Sequence, residues 1–533
     1  MLNTTLLHQL ITASAERSPD APALTAGKTS LSYRELDEQV AGIASGLIGL
    51  GLERGERVGI FLDKRAETVV ASFAAARAGG VFVPVNPILK PEQVGHILRD
   101  CNARVLITSP ERLPLLAETL GHCHDLRQVI LTGPLAKPVE LAGTGLGQWA
   151  DLLAAPPRAG HRVIDNDMLA ILYTSGSTGR PKGVVLSHRN MVAGAKSVAS
   201  YLGNNPDDTL LAALPLSFDA GFSQLTTAFH SGARVVLINY LLPQDVLKAV
   251  VREKVTGLTA VPPLYIQLAQ LNWPETVTDH LRYFANTGGR MPLETLKALR
   301  AQLPRTKPFL MYGLTEAFRA TYLPPEQADI RPDSIGKAIP NAEVLVLRED
   351  GTECSANEPG ELVQRGAHVA MGYWNDPEKT AERFKPLPDS APGRQPGLVL
   401  PEIAVFSGDT VRRDEEGYLY FIGRRDEMMK TSGYRVSPTE VEEILYATQL
   451  VGECVAFGVA HASLGQAICV IATPREGRTL DTATLLAECK QRMPAYMVPS
   501  TIALRDGPLP RNPNGKIDRK TLSTEFQQAQ GAQ

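Results

Sequence analysis

The chain has 533 residues, more than one hydrophobic core organises, so two or more domains are expected. Its 44% hydrophobic and 21% charged residues suit a globular protein in water, and a net charge of −3 gives no bulk case for binding nucleic acid or an anionic membrane surface. Cys101, Cys123, Cys354, Cys454, Cys469 and Cys489 form no C-x-x-C or Cys/His cluster, which argues against zinc and for reduced, buried thiols. No run approaches the roughly 18 apolar residues of a membrane span, so a cytoplasmic enzyme is expected.

The first 20 residues lack a basic segment followed by a long apolar core and read as an amphipathic helix, with Leu6, Leu7, Leu10 and Ile11 on one face. Helical patterns follow at 31–51 and 67–80. Short apolar runs alternate with such patterns at 57–62, 104–108, 128–132, 168–174, 234–238 and 309–313. Strand–helix alternation predicts an α/β architecture with largely parallel sheets, whose ligands sit beyond the strand C-termini. Near residue 340 the texture changes to short strands joined by turns, a β-rich subdomain. The Pro/Gly-rich stretch 384–402 reads as loop. Ser437, Pro438 and Glu440 then read as N-cap, N1 and capping box of a helix that opens a small α+β domain running to about residue 522. The polar end, from Ser523, is expected to fray.

Five segments carry chemistry. TSGSTGRPKG, Thr174 to Gly183, follows an apolar run and is rich in small and hydroxyl residues, as a phosphate loop would be. It is not the G-x-x-x-x-G-K-[ST] P-loop: Pro181 precedes Lys182, lacks an N–H and disfavours a helical residue before it. NTGGRMP, Asn286 to Pro292, has adjacent glycines that allow close backbone approach. MYGLTEA, Met311 to Ala317, brings an aromatic face, a hydroxyl and the hard-oxygen carboxylate of Glu316 together, as a nucleotide–magnesium site requires. In the stretch Phe406 to Val436, Asp409 can accept two hydrogen bonds from a ribose diol, and Arg424, Asp426 and Lys430 follow. Last, Lys516 lies in a turn of Pro513, Asn514 and Gly515, where an ammonium could stabilise developing negative charge.

In this order, and together with LSYRELDEQV, AGGVFVPVNP and NGKIDRK, these segments resemble the ANL superfamily of adenylating enzymes over nearly the whole chain. That superfamily includes acyl- and aryl-CoA synthetases, adenylation domains of nonribosomal peptide synthetases and firefly luciferase. The resemblance implies a large N-terminal domain, about 1–424, and a small mobile one, about 425–533. It implies ATP and Mg2+, a small carboxylic acid or amino acid, and CoA or carrier-protein phosphopantetheine as the acceptor thiol. Carried over residue by residue, Thr174, Ser175, Ser177, Thr178 and Lys182 would embrace the β- and γ-phosphates. Gly288, Gly289 and Arg290 would lie along the adenine with Tyr312 against its ring. Thr315 would contact the α-phosphate, Glu316 would hold magnesium, and Asp409 and Arg424 would bind the ribose. Asp426 matches the hinge, Lys516 would serve the first half-reaction, and Lys430 with Gly433 the second.

Many acyl- and aryl-CoA synthetases carry a histidine in the segment written here LPLSFDAGFSQL; this chain has Phe218 and Asp219. Amino-acid-activating domains use the matching Asp to pair with the substrate ammonium, and a buried carboxylate needs a cationic partner. Arg319, three residues after Glu316, is a competing partner, and an Asp219–Arg319 pair would make the pocket internally neutral. Both readings stand at this point. Ser223, Thr287, Met311 and Ala320 are expected to complete a medium cavity of some polarity.

Overall fold

The computed structural model describes residues 4–531 apart from 142, 175–180, 393, 395–396, 398, 426, 432–433, 462–463 and 514. Two large sheets form the bulk of the molecule. In the first, strands Thr209–Ala212, Arg234–Leu237, Gly257–Ala260, Tyr283–Asn286 and Lys307–Tyr312 run parallel, and antiparallel strands border the sheet at both ends. In the second, Arg57–Phe61, Val81–Pro84, Ala103–Thr108, Gln128–Leu131 and Met168–Thr174 are parallel, while Lys182–Ser187 returns antiparallel along Met168–Thr174.

Period-2 alternation decides the layering. Leu210, Val235, Tyr283, Ala285 and Met311 face one core, and Leu211, Val236, Phe284 and Leu310 face another. Both faces of the first sheet are apolar because helices cover both, as parallel sheets demand. Helices Tyr33–Gly49, Ala66–Ala78, His188–Leu202 and Asp219–Ser231 lie between the two sheets and share a single core with them. Helices Pro243–Arg252, Pro262–Leu268 and Leu293–Gln302 cover the outer face of the first sheet, and Pro91–Asp100 and Leu113–Leu120 that of the second. Among the described residues no helix is long and apolar enough to cross a membrane.

An antiparallel five-stranded sheet from Ala342–Leu347 to Leu419–Arg424 forms the β-rich subdomain. The last sheet uses Met429–Thr431, Tyr434–Val436, Val451–His461, Gly465–Pro474 and Thr501–Leu504, packed by helices Pro438–Ala447 and Thr482–Arg492.

Four expectations need correction. The N-terminal helix is Gln9–Arg17, so Leu6 and Leu7 precede it, although Leu7, Leu10 and Ile11 are all buried. Within 384–402, Phe384–Pro386 is a short strand on Ile403–Arg413, because Phe384 has a buried place beside that strand. Ser437 is the N-cap of Pro438–Ala447 but forms no capping box: its buried hydroxyl has no hydrogen-bond partner among the described residues. Finally, the polar end is helical, Arg519–Gly531. Leu522 and Phe526, four residues apart, share one helix face, and Phe526 meets Phe457 edge-on at 5.5 Å.

Candidate active site

The phosphate-loop segment connects two strands that pair antiparallel. Thr174 ends one strand, Lys182 opens the next, and the two residues are paired in register. Lys182 therefore enters a strand, and among the described residues no helix N-terminus stands behind it. Ser175, Ser177 and Thr178 lie outside the described residues, as do Asp426 and Gly433. The Lys182 ammonium sits 5.5 Å above the Tyr373 ring, and the Tyr373 hydroxyl donates to Glu316 Oε1 at 2.6 Å. One tyrosine thus joins the loop lysine to the Glu316 carboxylate. Burial and the neighbouring carboxylate push the Tyr373 phenol upward, so it remains a donor.

Tyr312 ends the strand Lys307–Tyr312 and its hydroxyl donates to Asp409 Oδ2. Asp409 Oδ1 has no hydrogen bond among the described residues, although Arg424 Nε lies 3.4 Å away. Burial raises the Asp409 carboxyl and Arg424 opposes it. Asn286 Nδ2 closes the NTGG turn on the Gly289 carbonyl at 2.8 Å. Gly288 has φ +77°, and a Cβ there would meet Lys516 Cε at 3.1 Å. The missing side chain is what lets the lysine lie against this turn. Arg290, expected along the adenine, has its Nε 3.8 Å from Glu443, on the helix Pro438–Ala447.

Lys516 comes from a distant turn that is anchored from the other side: Asn86 Nδ2 donates to the Pro513 carbonyl at 2.6 Å. Its ammonium lies 5.9 Å over the Phe218 ring, beside Asp219. Burial lowers the Lys516 pKa while Asp219 raises it. Asp219 opens the helix Asp219–Ser231, where a carboxylate meets the positive end of the helix dipole. Its Oδ1 accepts from the Thr315 hydroxyl at 3.3 Å, and its Oδ2 from Arg319 Nη1 at 3.2 Å. Burial pushes the Asp219 carboxyl up, with Arg319 and then Lys516 opposing. Of the two open readings, the structure realises the internal pair, with side chains only 4% and 2% exposed.

Arg319 reaches that position through a strained backbone. The turn Thr315–Ala317 is followed by Phe318 at φ +58°, ψ −60°, and the Arg319 N–H returns to the Ala317 carbonyl at 2.6 Å. This is the positive-φ γ-turn, rare for a bulky residue and worth about 1–3 kcal/mol of strain. The turn is held by a buried Phe318 ring lodged over Gly194, by Nη1 donating to the Phe318 carbonyl, and by Gln364 donating to the Arg319 carbonyl.

Ser223, Met311 and Arg319 line a cavity together with Thr227, Thr259 and Gln224, whereas Thr287 and Ala320 are buried outside its lining. The expected medium cavity is only about 20 Å3, and the fully buried Arg319 side chain is part of its lining. Lys430 is exposed on the strand Met429–Thr431, and the structure shows its backbone N–H donating to Gln466. Sequence reading missed Asn86, Tyr373, Thr227 and Glu443. The only available signals were AGGVFVPVNP for Asn86 and the strand-like GYW for Tyr373.

Residues 11–374 match the family model of the AMP-binding enzymes, and 440–516 that of the AMP-binding enzyme C-terminal domain. The chain belongs to the AMP-binding enzyme family. Its architecture is that of the ANL adenylating enzymes. It is 30% identical over 520 residues to bacitracin synthase 3 of Bacillus licheniformis, covering 97% of this chain and 8% of that protein. The chain thus spans less than a tenth of the length of that curated relative. The anthranilate CoA ligase AuaEII in complex with anthranoyl-AMP superposes with a TM-score of 0.87 at 26% identity, over 99% of this chain and 98% of that one. O-succinylbenzoate CoA synthetase (MenE) of Bacillus subtilis, in complex with ATP and magnesium ion, superposes at 0.80 with 25% identity, over 96% and 99%.

Proposed function

We propose that this chain is an AMP-forming acid–thiol ligase. A carboxylate attacks the α-phosphate of ATP to give acyl-AMP and pyrophosphate, and a thiol, CoA in the favoured reading, then displaces AMP to give a thioester. The observation that carries the proposal is Lys516, held over Phe218 between the Gly288 turn and Asp219. Carboxylate attack on a polyphosphate brings like charges together, and a preorganised ammonium offsets that repulsion.

The remaining roles follow the geometry. Thr174, Ser175, Ser177, Thr178 and Lys182 would receive the β- and γ-phosphates, and Thr315 the α-phosphate. Gly288, Gly289, Arg290 and Tyr312 would border the adenine. Asp409 Oδ1, without a hydrogen bond among the described residues, is suited to a ribose hydroxyl, with Arg424 beside it. Glu316 suits magnesium, which is usually held by one or two carboxylates plus substrate phosphates. Bound there, the ion would offset phosphate charge.

Thiolysis needs room where Lys516 now lies. We therefore read 425–533 as a domain that turns about Asp426, withdrawing Lys516 and bringing Lys430 and Gly433 toward the site. Six unpaired, buried thiols suit a cytoplasmic setting.

A second reading, a stand-alone amino-acid adenylating enzyme loading a carrier-protein phosphopantetheine, is supported by the relation to a bacitracin synthase. The Asp219–Arg319 pair weighs against it, because an α-ammonium would have to displace a guanidinium already bound. Carboxylate-dependent ATP–pyrophosphate exchange tests the first half-reaction. Supplying CoA or a phosphopantetheinylated carrier protein to preformed acyl-AMP then separates the two readings. Absence of exchange across a broad acid panel refutes both.

A further inference from the structure

Within that ligase reading, the acyl pocket has a chemistry of its own. Arg319 is 2% exposed and uses Nη1 twice, toward Asp219 and toward the Phe318 carbonyl. Its guanidinium also lies beside the Tyr201 hydroxyl, but its Nε has no hydrogen-bond partner among the described residues, and neither does the buried Thr227 hydroxyl find one there. Both residues line the same cavity, of about 20 Å3, with Ser223 and Met311. Buried charged donors are rarely left unmet in native proteins, and a polar cavity of this size has room for one water-sized oxygen.

We propose that the acid activated here is short and carries, beyond its reacting carboxylate, a neutral hydrogen-bond-accepting oxygen, a hydroxyl or carbonyl, that seats on Arg319 Nε and Thr227. A plain alkyl chain would leave the Nε–H without an acceptor. An ammonium would face a guanidinium and compete with it for Asp219. Charge disfavours a second carboxylate: at the Phe218–Asp219 end, Lys516 and Arg319 against Asp219 leave one positive charge, which the reacting carboxylate already matches. A second anion would leave the buried site with a net negative charge.

The test uses the full chain and four-carbon acids of matched length: butanoate, 3- and 4-hydroxybutanoate, 3-oxobutanoate, succinate and 2-aminobutanoate. In ATP–pyrophosphate exchange, one of the oxygenated monoacids should exceed butanoate at least tenfold in kcat/KM. Arg319→Met should bring that ratio to about one or below, and Thr227→Val should cut it severalfold. Thr227→Val, nearly isosteric, keeps the test meaningful if Arg319→Met does not fold. In parallel, calorimetry compares sulfamoyladenosine bearing a butanoyl or a hydroxybutanoyl group with bare sulfamoyladenosine. If the bare nucleoside does not bind, the adenylating reading itself fails. If it binds but butanoate, succinate or 2-aminobutanoate is preferred, or the preference survives both substitutions, only the present proposal is overturned.

Discussion

Replacing Lys516 by Ala removes a cation that reaches the Phe218–Asp219 end of the site from the C-terminal segment. With Lys516 present, the three charges Lys516, Arg319 and Asp219 sum to +1, and a bound carboxylate brings the site to zero. Without it, the carboxylate is bound beside Asp219 in a site that becomes net negative. At an effective dielectric of about 20, one unit-charge interaction at about 4 Å is worth about 4 kcal/mol. Loss of a preorganised charge-stabilising donor typically costs about 10²–10³-fold in rate. Lys516→Ala should therefore lower carboxylate-dependent ATP–pyrophosphate exchange by at least about 10²-fold. Single-turnover transfer from supplied acyl-AMP to the thiol should stay within about threefold, because there the lysine has to be out of the way. The substitution should not unfold the chain, because Asn86 holds the turn through the Pro513 carbonyl, not through the lysine side chain. If both half-reactions fall by the same factor, the assignment of Lys516 to the first one is wrong.

Glu443 accepts the Leu293 N–H at 3.0 Å and faces Arg290, so it ties the C-terminal helix Pro438–Ala447 to the nucleotide side of the site. Glu443→Ala should slow exchange severalfold and leave thiolysis of supplied acyl-AMP unchanged, as read by the same pair of assays. Gly194→Ala would place a methyl well inside contact distance of the Phe318 ring; it should cost about 1–3 kcal/mol in urea unfolding and depress exchange by disturbing the turn that carries Arg319. His188 accepts the Leu7 N–H through Nδ1, and burial lowers its pKa to about 3. Between about pH 6.5 and 3 the unfolded chain binds a proton there that the folded chain does not, so stability falls as pH drops, by up to about 1.4 kcal/mol per pH unit. His188→Gln should flatten urea-unfolding stability between pH 6 and 4; an unchanged slope would show that His188 does not set it.

The legible part of the site consists of polar residues that directly follow apolar runs. Thr174, Tyr312 and Asp409 each lie at the end of a strand or just past a glycine within one, and alternation along the chain exposes such positions. Lys182 was legible for a negative reason, since Pro181 before it departs from the G-x-x-x-x-G-K-[ST] pattern of a P-loop. What stayed hidden depends on contacts between remote segments. Nothing near Asn86 announces a carbonyl 427 residues away, and nothing in GYW announces that Tyr373 will bridge Lys182 and Glu316. Ser437 shows the same limit in reverse: its local pattern writes a capping box, but tertiary packing buries the hydroxyl without one.

Arg319 is the case where sequence could frame the choice but not make it. From composition alone, Asp219 could have taken a substrate ammonium or an internal guanidinium with equal chemical sense. The decision rests on a γ-turn at Phe318, for which Gly194, on the helix His188–Leu202, leaves room for the phenyl ring and Gln364, on the strand Gly360–Gly366, holds the Arg319 carbonyl. Arginine in that place converts a pocket that would attract an ammonium into one with no net demand for it. Within the proposed ligase reading, substrate class would depend on the backbone geometry at Phe318, two residues past Glu316, as much as on the identity of Asp219. An Asp219→Asn substitution separates the two contributions. It leaves a neutral partner for Arg319 and removes the counter-charge, so the guanidinium becomes free to take a second anion. Succinate should then gain on the oxygenated monoacids by about tenfold or more in exchange, since one uncompensated buried charge has been exchanged for a paired one. If succinate does not gain, Arg319 does not face the acyl group, and the pocket must be entered from another side.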